Sequence, residues 1–149
     1  VFGLMHIDLD FFKQVNDTYG HLYGDEVLLL FARLMQHTFR HNDQLFRYGG
    51  EEFAVVLAGV DLGRAQAVLE RFRRTVAKYP FPQVGHKTVS IGVVRLAAND
   101  ELDLVVDRAD KALYHAKQNG RNQVCCYETL VANGKIAPVT VATGDIELF

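Results

Sequence analysis

Two aspartates, Asp8 and Asp10, stand two residues apart at the end of an apolar run that opens the chain. Because side chains alternate along a strand, both carboxylates would share one face if the strand extended that far. Carboxylate and carbonyl oxygens are the ligands that Mg²⁺ prefers, so the pair is a candidate magnesium site. The alternative is an acidic strand end that faces water.

Phe11, Phe12 and Lys13 follow directly and are predicted to open a short helix. The free backbone N–H groups and the dipole of a helix start favour an anion there, and Lys13 adds a positive charge suited to phosphate. The chain contains no G-x-x-x-x-G-K sequence, so this would be a phosphate site without a P-loop. A solvated lysine is the simpler interpretation of Lys13.

Asn16 and Asp25 flank a turn punctuated by Gly20 and Gly24. A carboxylate can accept two parallel hydrogen bonds from the N1–H and N2–H groups of guanine, and an asparagine can both donate and accept. The pair could therefore read a guanine base. Equally, Asn16 could form the turn and Asp25 could cap the next helix.

Gly49-Gly50-Glu51-Glu52 lies between two apolar runs, which predicts a β-hairpin with its turn at the glycines. Bare backbone at Gly49 and Gly50 permits close approach of a flat ligand. Adjacent residues of a strand point to opposite faces, so only one of Glu51 and Glu52 would meet Asp8 unless the turn is distorted. An exposed hairpin whose acids discourage edge pairing is the alternative.

Lys117 and Arg121 fall at the end of a long predicted helix, around Gly120. Cations are stabilised at a helix C-terminus by the dipole, which is reason enough for their presence. They would also supply two positive charges for a polyphosphate.

The elements that must position these residues alternate in the order β, α, α, β, β, α, β, α, β. Strands are expected at residues 1–9, 44–48, 51–57, 87–96 and 123–127. Helices are expected at residues 11–18, 25–39, 62–78 and 101–118. This order predicts an α+β fold with a mostly antiparallel five-stranded sheet covered by helices. Residues after 127 show no helical period, and 136–141 could add an edge strand or lie over the surface.

Length and composition point to one globular domain: 149 residues, 49% hydrophobic and 23% charged. Sixteen basic against eighteen acidic residues give a net charge of -2, which argues against a polybasic role on nucleic acid or an anionic membrane. Adjacent Cys125 and Cys126 are poor disulfide partners, which indicates a reducing compartment. The longest apolar run, residues 27–31, falls far short of the roughly 20 that span a bilayer.

Together these motifs resemble the GGDEF family of diguanylate cyclases over residues 4–124. The matching segments are Asp8-Leu9-Asp10-Phe11-Phe12-Lys13, Asn16-Asp17, Gly20-His21, Gly24-Asp25, Arg47-Tyr48-Gly49-Gly50-Glu51-Glu52-Phe53, Ser90-Ile91-Gly92-Val93 and the stretch from Ala109 to Asn122. The order and spacing of the set are specific, although each segment alone would be weak.

The resemblance implies a fold similar to the adenylyl cyclase and polymerase palm. It implies that two GTP molecules condense to cyclic di-GMP with loss of two pyrophosphates. By position, Asp8, the Leu9 carbonyl and Glu51 would hold Mg²⁺ or Mn²⁺. Glu51 or Glu52 would assist deprotonation of the attacking 3′-hydroxyl. The substrate-binding residues would be Phe11, Phe12, Lys13, Asn16, Asp25, Gly49, Gly50, Lys117 and Arg121, and a homodimer would be needed for catalysis.

A second family feature is the R-x-x-D segment Arg40-His41-Asn42-Asp43, placed before Gly49 as in the family's inhibitory product site. Arg71 matches a further arginine of that site. Arginine forks suit phosphates and the O6/N7 edge of guanine. The resemblance thus implies feedback by cyclic di-GMP, whereas outside it the segment would be a solvated helix end.

The chain departs from the family at both ends. It lacks the family's usual helix before the first strand, and it starts inside a predicted strand, so we interpret it as part of a longer protein. We expect a GGDEF domain over residues 1–127, a tail of unknown role over 128–149, a cytoplasmic location and an upstream sensory domain. A silent module that binds GTP or cyclic di-GMP, or a structural dimerisation domain, is the alternative to an enzyme.

Overall fold

A five-stranded sheet organises the chain. The computed structural model describes residues 2–47 and 49–139, with the side chains of residues 2–6 left aside. The strands are β1 (Phe2–Leu9), β2 (Gln44–Arg47), β3 (Glu52–Ala58), β4 (Val89–Leu96) and β5 (Val124–Cys126). They lie in the order β2-β3-β1-β4-β5, and only the β4–β5 pair is parallel. The expected mostly antiparallel sheet is confirmed, with strand ends shifted by one or two residues.

Five helices accompany the sheet: α1 (Phe12–Tyr19), α2 (His21–Thr38), α3 (Leu62–Lys78), α4 (Leu102–Gln118) and α5 (Tyr127–Ala132). The expected start of the second helix at residue 25 is wrong. Gly20, at φ +90°, is the single residue between α1 and α2, and Gly24 lies inside α2. A glycine can sit in a helix for close packing as well as in a turn. No helix within residues 2–47 and 49–139 is long and apolar enough to cross a bilayer.

The sheet buries a core on each face. Helices α1, α2 and α3 cover one face, where the Phe31 ring packs 5.0 Å from Phe53 and 5.5 Å from Phe72, centroid to centroid. Helix α4 covers the other face with Val105, Ala109, Ala112 and Ala116. Neighbouring residues Val93 and Val94 of β4 belong to different cores, because side chains alternate across a strand.

Helix α4 lies unusually close to β4. A Cβ atom added at Gly92 would stand 2.4 Å from both the Ala109 carbonyl oxygen and the Leu113 backbone nitrogen. Gly92 pairs with His6 of β1 on one side and Cys125 of β5 on the other. The glycine therefore sets the distance between the sheet and the helix that carries Lys117.

The expected absence of helix after residue 127 is wrong, since α5 begins at Tyr127. Six residues are too few to show a hydrophobic period. The chain then returns over α4: the Val139 N–H donates to the Tyr127 hydroxyl oxygen at 2.7 Å, and the Arg108 guanidinium lies 5.8 Å from the Tyr127 ring centroid. Residues 136–139 thus lie over the surface of the second core, while 140–149 fall outside the described residues.

Candidate active site

The tip of the β2–β3 hairpin meets the acidic end of β1. Asp8 and Glu52 are directly paired in the β1–β3 register, which directs both side chains to the same face of the sheet. Strand β3 begins at Glu52, so Glu51 belongs to the turn and is not held to strand alternation. The negative charges of both glutamates act on Asp8. Because Glu51 lies in the turn and not in the strand, both Glu51 and Glu52 are near enough to Asp8 for their charges to affect it.

Two contacts hold this turn. Arg47 donates from Nε to the Gly49 carbonyl at 3.3 Å and from Nη2 to the Gly50 carbonyl at 2.9 Å. The Glu52 carboxylate lies over Gly49, where a Cβ would come 2.4 Å from Glu52 Oε2. Gly49 thus gives Glu52 room, a role for this glycine that the sequence did not indicate. The anchoring role of Arg47 was also missed, and its position just before a Gly-Gly turn was the available signal.

Asp8 is a buried carboxylate in a crowded acidic setting. Burial raises the pKa of the Asp8 carboxyl above its ordinary value, and the charges of Glu51 and Glu52 raise it further. Opposing them, the Lys117 ammonium donates a hydrogen bond to Asp8 Oδ2 and lowers that pKa. Lys117 pairs with Asp8, one of three neighbouring carboxylates, and carboxylate oxygens have the charge and hardness that suit a divalent cation. Across residues 2–47 and 49–139, no three acidic, histidine or cysteine side chains lie close enough together to ligate one ion.

Asp10 does not join Asp8. Strand β1 ends at Leu9, so the alternation that would have placed both carboxylates on one face stops before Asp10. The Asp10 carboxylate is buried and accepts three hydrogen bonds, from Thr88 Oγ1 at 2.7 Å, Ser90 Oγ at 2.6 Å and the Asn122 N–H at 3.1 Å. The interpretation of Asp8 and Asp10 as one metal-binding pair is wrong. Asp10 joins the end of β1 to β4 and to the loop after α4.

We expect Asp10→Ala to lower the free energy of unfolding by about 2–4 kcal/mol, because it leaves the buried Ser90 hydroxyl without its acceptor. Urea denaturation followed by circular dichroism measures the loss. Asp107→Ala, at an exposed position of α4, is the control and should stay within about 0.5 kcal/mol of wild type. Equal stability of the two variants would contradict the structural role of Asp10.

Lys117, near the end of α4, and Arg121, just after α4, reach the same end of the sheet. Lys117 pairs with Asp8, and Arg121 Nη1 lies 3.8 Å from Asp10 Oδ1. The Arg121 guanidinium also sits 4.6 Å from the ring centroid of Phe11, which is half exposed at the start of α1. No side chain caps the N-terminus of α1. Lys117 and Arg121 thus pair with the two aspartates at the end of β1, just before the start of α1. Within α1, Phe12 is buried and Lys13 is exposed.

Asn16 and Asp25 lie inside helices, so neither a turn-forming Asn16 nor a capping Asp25 describes them. The Asn16 amide packs on Gly24: a Cβ there would stand 1.8 Å from Asn16 Oδ1. Asp25 is exposed and borders an open groove of about 400 Å³ that it shares with Arg47. The Asn16 amide thus packs against the residue that precedes Asp25, and the Asp25 carboxylate borders the groove beside the hairpin.

A separate cavity of about 190 Å³ gathers Arg40, Asp43 and Arg71. Asp43 is buried and accepts from the Arg40 N–H at 2.8 Å and from Arg40 Nη2 at 3.3 Å. Arg40 Nη2 also donates to the Ala58 carbonyl at 2.9 Å. The other lining residues are Thr38, Leu57, Val60, Arg64 and Val68.

Comparisons with known proteins identify the family of this chain. The family described as "Diguanylate cyclase, GGDEF domain" matches residues 1–123. Diguanylate cyclase A of Treponema denticola is 46% identical over 128 residues, 82% of this chain and 34% of that protein. Diguanylate cyclase DgcM of Escherichia coli is 44% identical over 123 residues, 83% of this chain and 30% of that protein. The chain therefore spans about a third of the length of these relatives.

Solved structures agree with the fold. The GGDEF domain of DgcB from Caulobacter crescentus, in complex with c-di-GMP, superposes with a TM-score of 0.81 at 33% identity, over 85% of this chain and 78% of that one. The active GGEEF domain of a diguanylate cyclase from Vibrio cholerae gives 0.79 at 39% identity, over 85% and 82%. The expected α+β fold, similar to the cyclase and polymerase palm, is confirmed. With its family match over 123 residues and the hairpin acids beside Asp8, the chain belongs to the GGDEF-domain family of diguanylate cyclases.

Proposed function

We propose that this domain is one half of a diguanylate cyclase, which joins two GTP molecules into cyclic di-GMP and releases two pyrophosphates. The observation that carries the proposal is the pairing of Asp8 with Glu52 in the β1–β3 register, with Lys117 on the same carboxylate. Acids and a cation converge there beside the uncapped start of α1. This combination suits a metal-bound triphosphate.

Asp8, the Leu9 carbonyl and Glu51 would hold Mg²⁺ or Mn²⁺. Such an ion, when bound, neutralises charge that develops on the α-phosphate during displacement. Glu51 or Glu52 accepts the proton of the attacking 3′-hydroxyl, whose approach is open at Gly50, where an added Cβ would meet nothing within 4 Å. An ion at Asp8 would compete with Lys117 for the same carboxylate, and the Lys117 ammonium then serves the triphosphate.

The remaining site residues orient the nucleotide. Asp25 accepts from guanine N1–H and N2–H, and Asn16, supported by Gly24, contacts the same base. The phosphates lie against the N–H groups of the segment Phe11 to Lys13 and against Lys117 and Arg121. The ring of Phe11 and the carboxylate of Asp10 hold the Arg121 guanidinium in place for that contact.

Catalysis requires a homodimer. Each domain carries one such set of residues and positions one GTP, while the reaction needs the 3′-hydroxyl of each GTP at the α-phosphate of the other. Two domains must therefore face each other, and the rate per domain depends on their concentration. An upstream sensory domain would control that encounter. The cytoplasmic location expected from the sequence stays a prediction, and no nucleic-acid partner is proposed.

We also propose that the cavity at Arg40, Asp43 and Arg71 binds the product and inhibits the enzyme. It lies at the other end of the β2–β3 hairpin from the glycine turn, since Arg40 and Asp43 come just before β2. Two arginine forks and a buried carboxylate supply donors for phosphate and an acceptor for guanine N–H groups.

The test is incubation of the chain with GTP and Mg²⁺ over a range of protein concentrations, followed by chromatography and mass spectrometry. We expect cyclic di-GMP, and a turnover rate per domain that falls on dilution. Absence of product at every concentration, in this chain and in the longer protein, would contradict the enzyme. Binding of GTP or cyclic di-GMP without turnover would instead identify a silent module, which the intact Asp8, Glu51 and Glu52 disfavour.

Gly24→Ala should weaken GTP binding by at least about tenfold, because the new Cβ overlaps Asn16 Oδ1 and forces the amide away from the base. Calorimetric titration with a non-hydrolysable GTP analogue measures the loss. Gly63→Ala is a matched control in α3, where the added Cβ meets its nearest atom, Asp61 Oδ1, at 3.5 Å. Unchanged affinity in Gly24→Ala would remove Asn16 from the proposed guanine site.

A further inference from the structure

The cavity at Arg40 has a second basic wall. Arg64, Val68 and Arg71 all line it, and their spacing of four and three residues places them on one face of α3. Arg64 belongs to the first turn of that helix, whose N-cap Asp61 accepts from the Arg64 backbone N–H at 2.8 Å. The backbone of Arg64 is thereby held at the start of α3, and Arg64 lines the cavity.

The charges around this cavity are not balanced. Among the residues that the structure describes, Asp43 is the only acid that lines it, and Arg40 already pairs with that carboxylate. Within the described part of the chain, the guanidinium groups of Arg64 and Arg71 make no hydrogen bond or ion pair. Two arginines whose guanidinium groups pair with no acid of the described residues line one cavity, an arrangement that favours a ligand with two negative charges.

The distance between Arg64 and Arg71, compared with the volume of the cavity, indicates how a ligand would lie. Seven residues of helix place Arg64 and Arg71 roughly 10 Å apart along the axis. A cavity of about 190 Å³ is small for a whole dinucleotide, because pockets for compounds of that size are usually about 300–1,000 Å³. Part of a cyclic dinucleotide therefore enters beside the buried Asp43, while the rest lies over the rim. Arg64 and Arg71 are both exposed, so both can reach the part of the ligand at the rim.

We infer that Arg64 is a further binding residue of the product site and contacts a phosphate of cyclic di-GMP. The inference rests on the proposed feedback site and adds to it a fourth residue, outside the R-x-x-D segment. Arg64 and Arg71, roughly 10 Å apart along α3, then contact separate parts of the ligand.

Calorimetric titration of the chain with cyclic di-GMP tests this. We expect Arg64→Gln to raise the Kd by about 10- to 100-fold, the effect of losing one charged hydrogen bond. Arg64→Lys should stay within about threefold of wild type, since a point charge still serves a phosphate. Arg74→Gln is the matched control, because Arg74 is exposed on the same helix, pairs with Glu70 at 3.7 Å and does not line the cavity. Melting temperatures of all variants should match wild type.

The outcomes separate the two proposals. If Arg40→Gln weakens binding and Arg64→Gln does not, Arg64 is no part of the site and the feedback site stands. If Arg64→Lys binds as weakly as Arg64→Gln, Arg64 does not act on a phosphate as a charge, which overturns the assigned contact. If the wild-type chain does not bind cyclic di-GMP, the feedback site itself fails, and this inference with it.

Discussion

Replacing Glu51 and Glu52 together by glutamine should reduce the formation of cyclic di-GMP by at least about a thousandfold. The change removes one metal-binding carboxylate and every side chain proposed to accept the 3′-hydroxyl proton. It keeps the shape of both side chains, so the side chain at position 52 still fits over Gly49. Single-turnover assays with GTP and Mg²⁺, read by mass spectrometry, give the rate.

The same variant should be at least as stable as wild type. Both glutamates raise the pKa of the buried Asp8 carboxyl, so neutral side chains in their place relieve repulsion in the folded state. The matched control is Glu101→Gln combined with Asp107→Asn, which also removes two negative charges. Both residues are exposed and lie outside every proposed site. Loss of turnover with unchanged melting identifies chemistry; turnover equal to that of the control would contradict the assigned hairpin acids.

Gly92→Ala should destabilise the fold by about 3 kcal/mol or more. The added Cβ meets two backbone atoms of α4 at 2.4 Å, and backbone cannot give way as a flexible side chain can. Helix α4 must move off the sheet, which loosens the packing of Ala109 and Ala112 and withdraws Lys117 from Asp8. Thermal and urea unfolding measure the first effect, and the rate of cyclic di-GMP formation reports the second.

Gly63→Ala is again the control, since it adds the same methyl group where the nearest contact is an ordinary 3.5 Å. It should be neutral or slightly stabilising, because alanine favours a helix over glycine. A Gly92→Ala protein within about 0.5 kcal/mol of wild type would mean that β4 and α4 are further apart than described.

Most of the fold could be predicted from local sequence patterns. Two apolar runs around a Gly-Gly turn predicted the β2–β3 hairpin, and the helices expected at 62–78 and 101–118 match α3 and α4 to within about one residue. The wrong predictions arose where a local pattern fits more than one structure. Gly24 and Gly20 look alike in the sequence, yet one lies inside α2 and the other has φ +90° between two helices. Helix α5 is too short to carry a period of its own.

The candidate site was likewise predictable in part: its residue types could be read from the sequence, but their arrangement in space could not. The residue types of Asp8, Glu51 and Glu52 were readable, but their convergence depends on the register of β1 against β3, a long-range pairing that no short window contains. The pairing of Asp10 with Thr88 and Ser90 joins residues about eighty positions apart. Gly92 and Gly49 were matched as motif letters, while the close approaches that require them appear only when the helix and the carboxylate are in place.

The central claim is that Asp8 and the hairpin share one divalent ion. Crystals soaked with Mn²⁺ and a non-hydrolysable GTP analogue test it through the anomalous signal of manganese. The account predicts a peak within roughly 2.0–2.3 Å of an oxygen of Asp8 and an oxygen of Glu51, with Lys117 turned from Asp8 to the phosphates. A bound analogue whose manganese lies away from Asp8, or a nucleotide held with Asp8 still paired to Lys117, would contradict it.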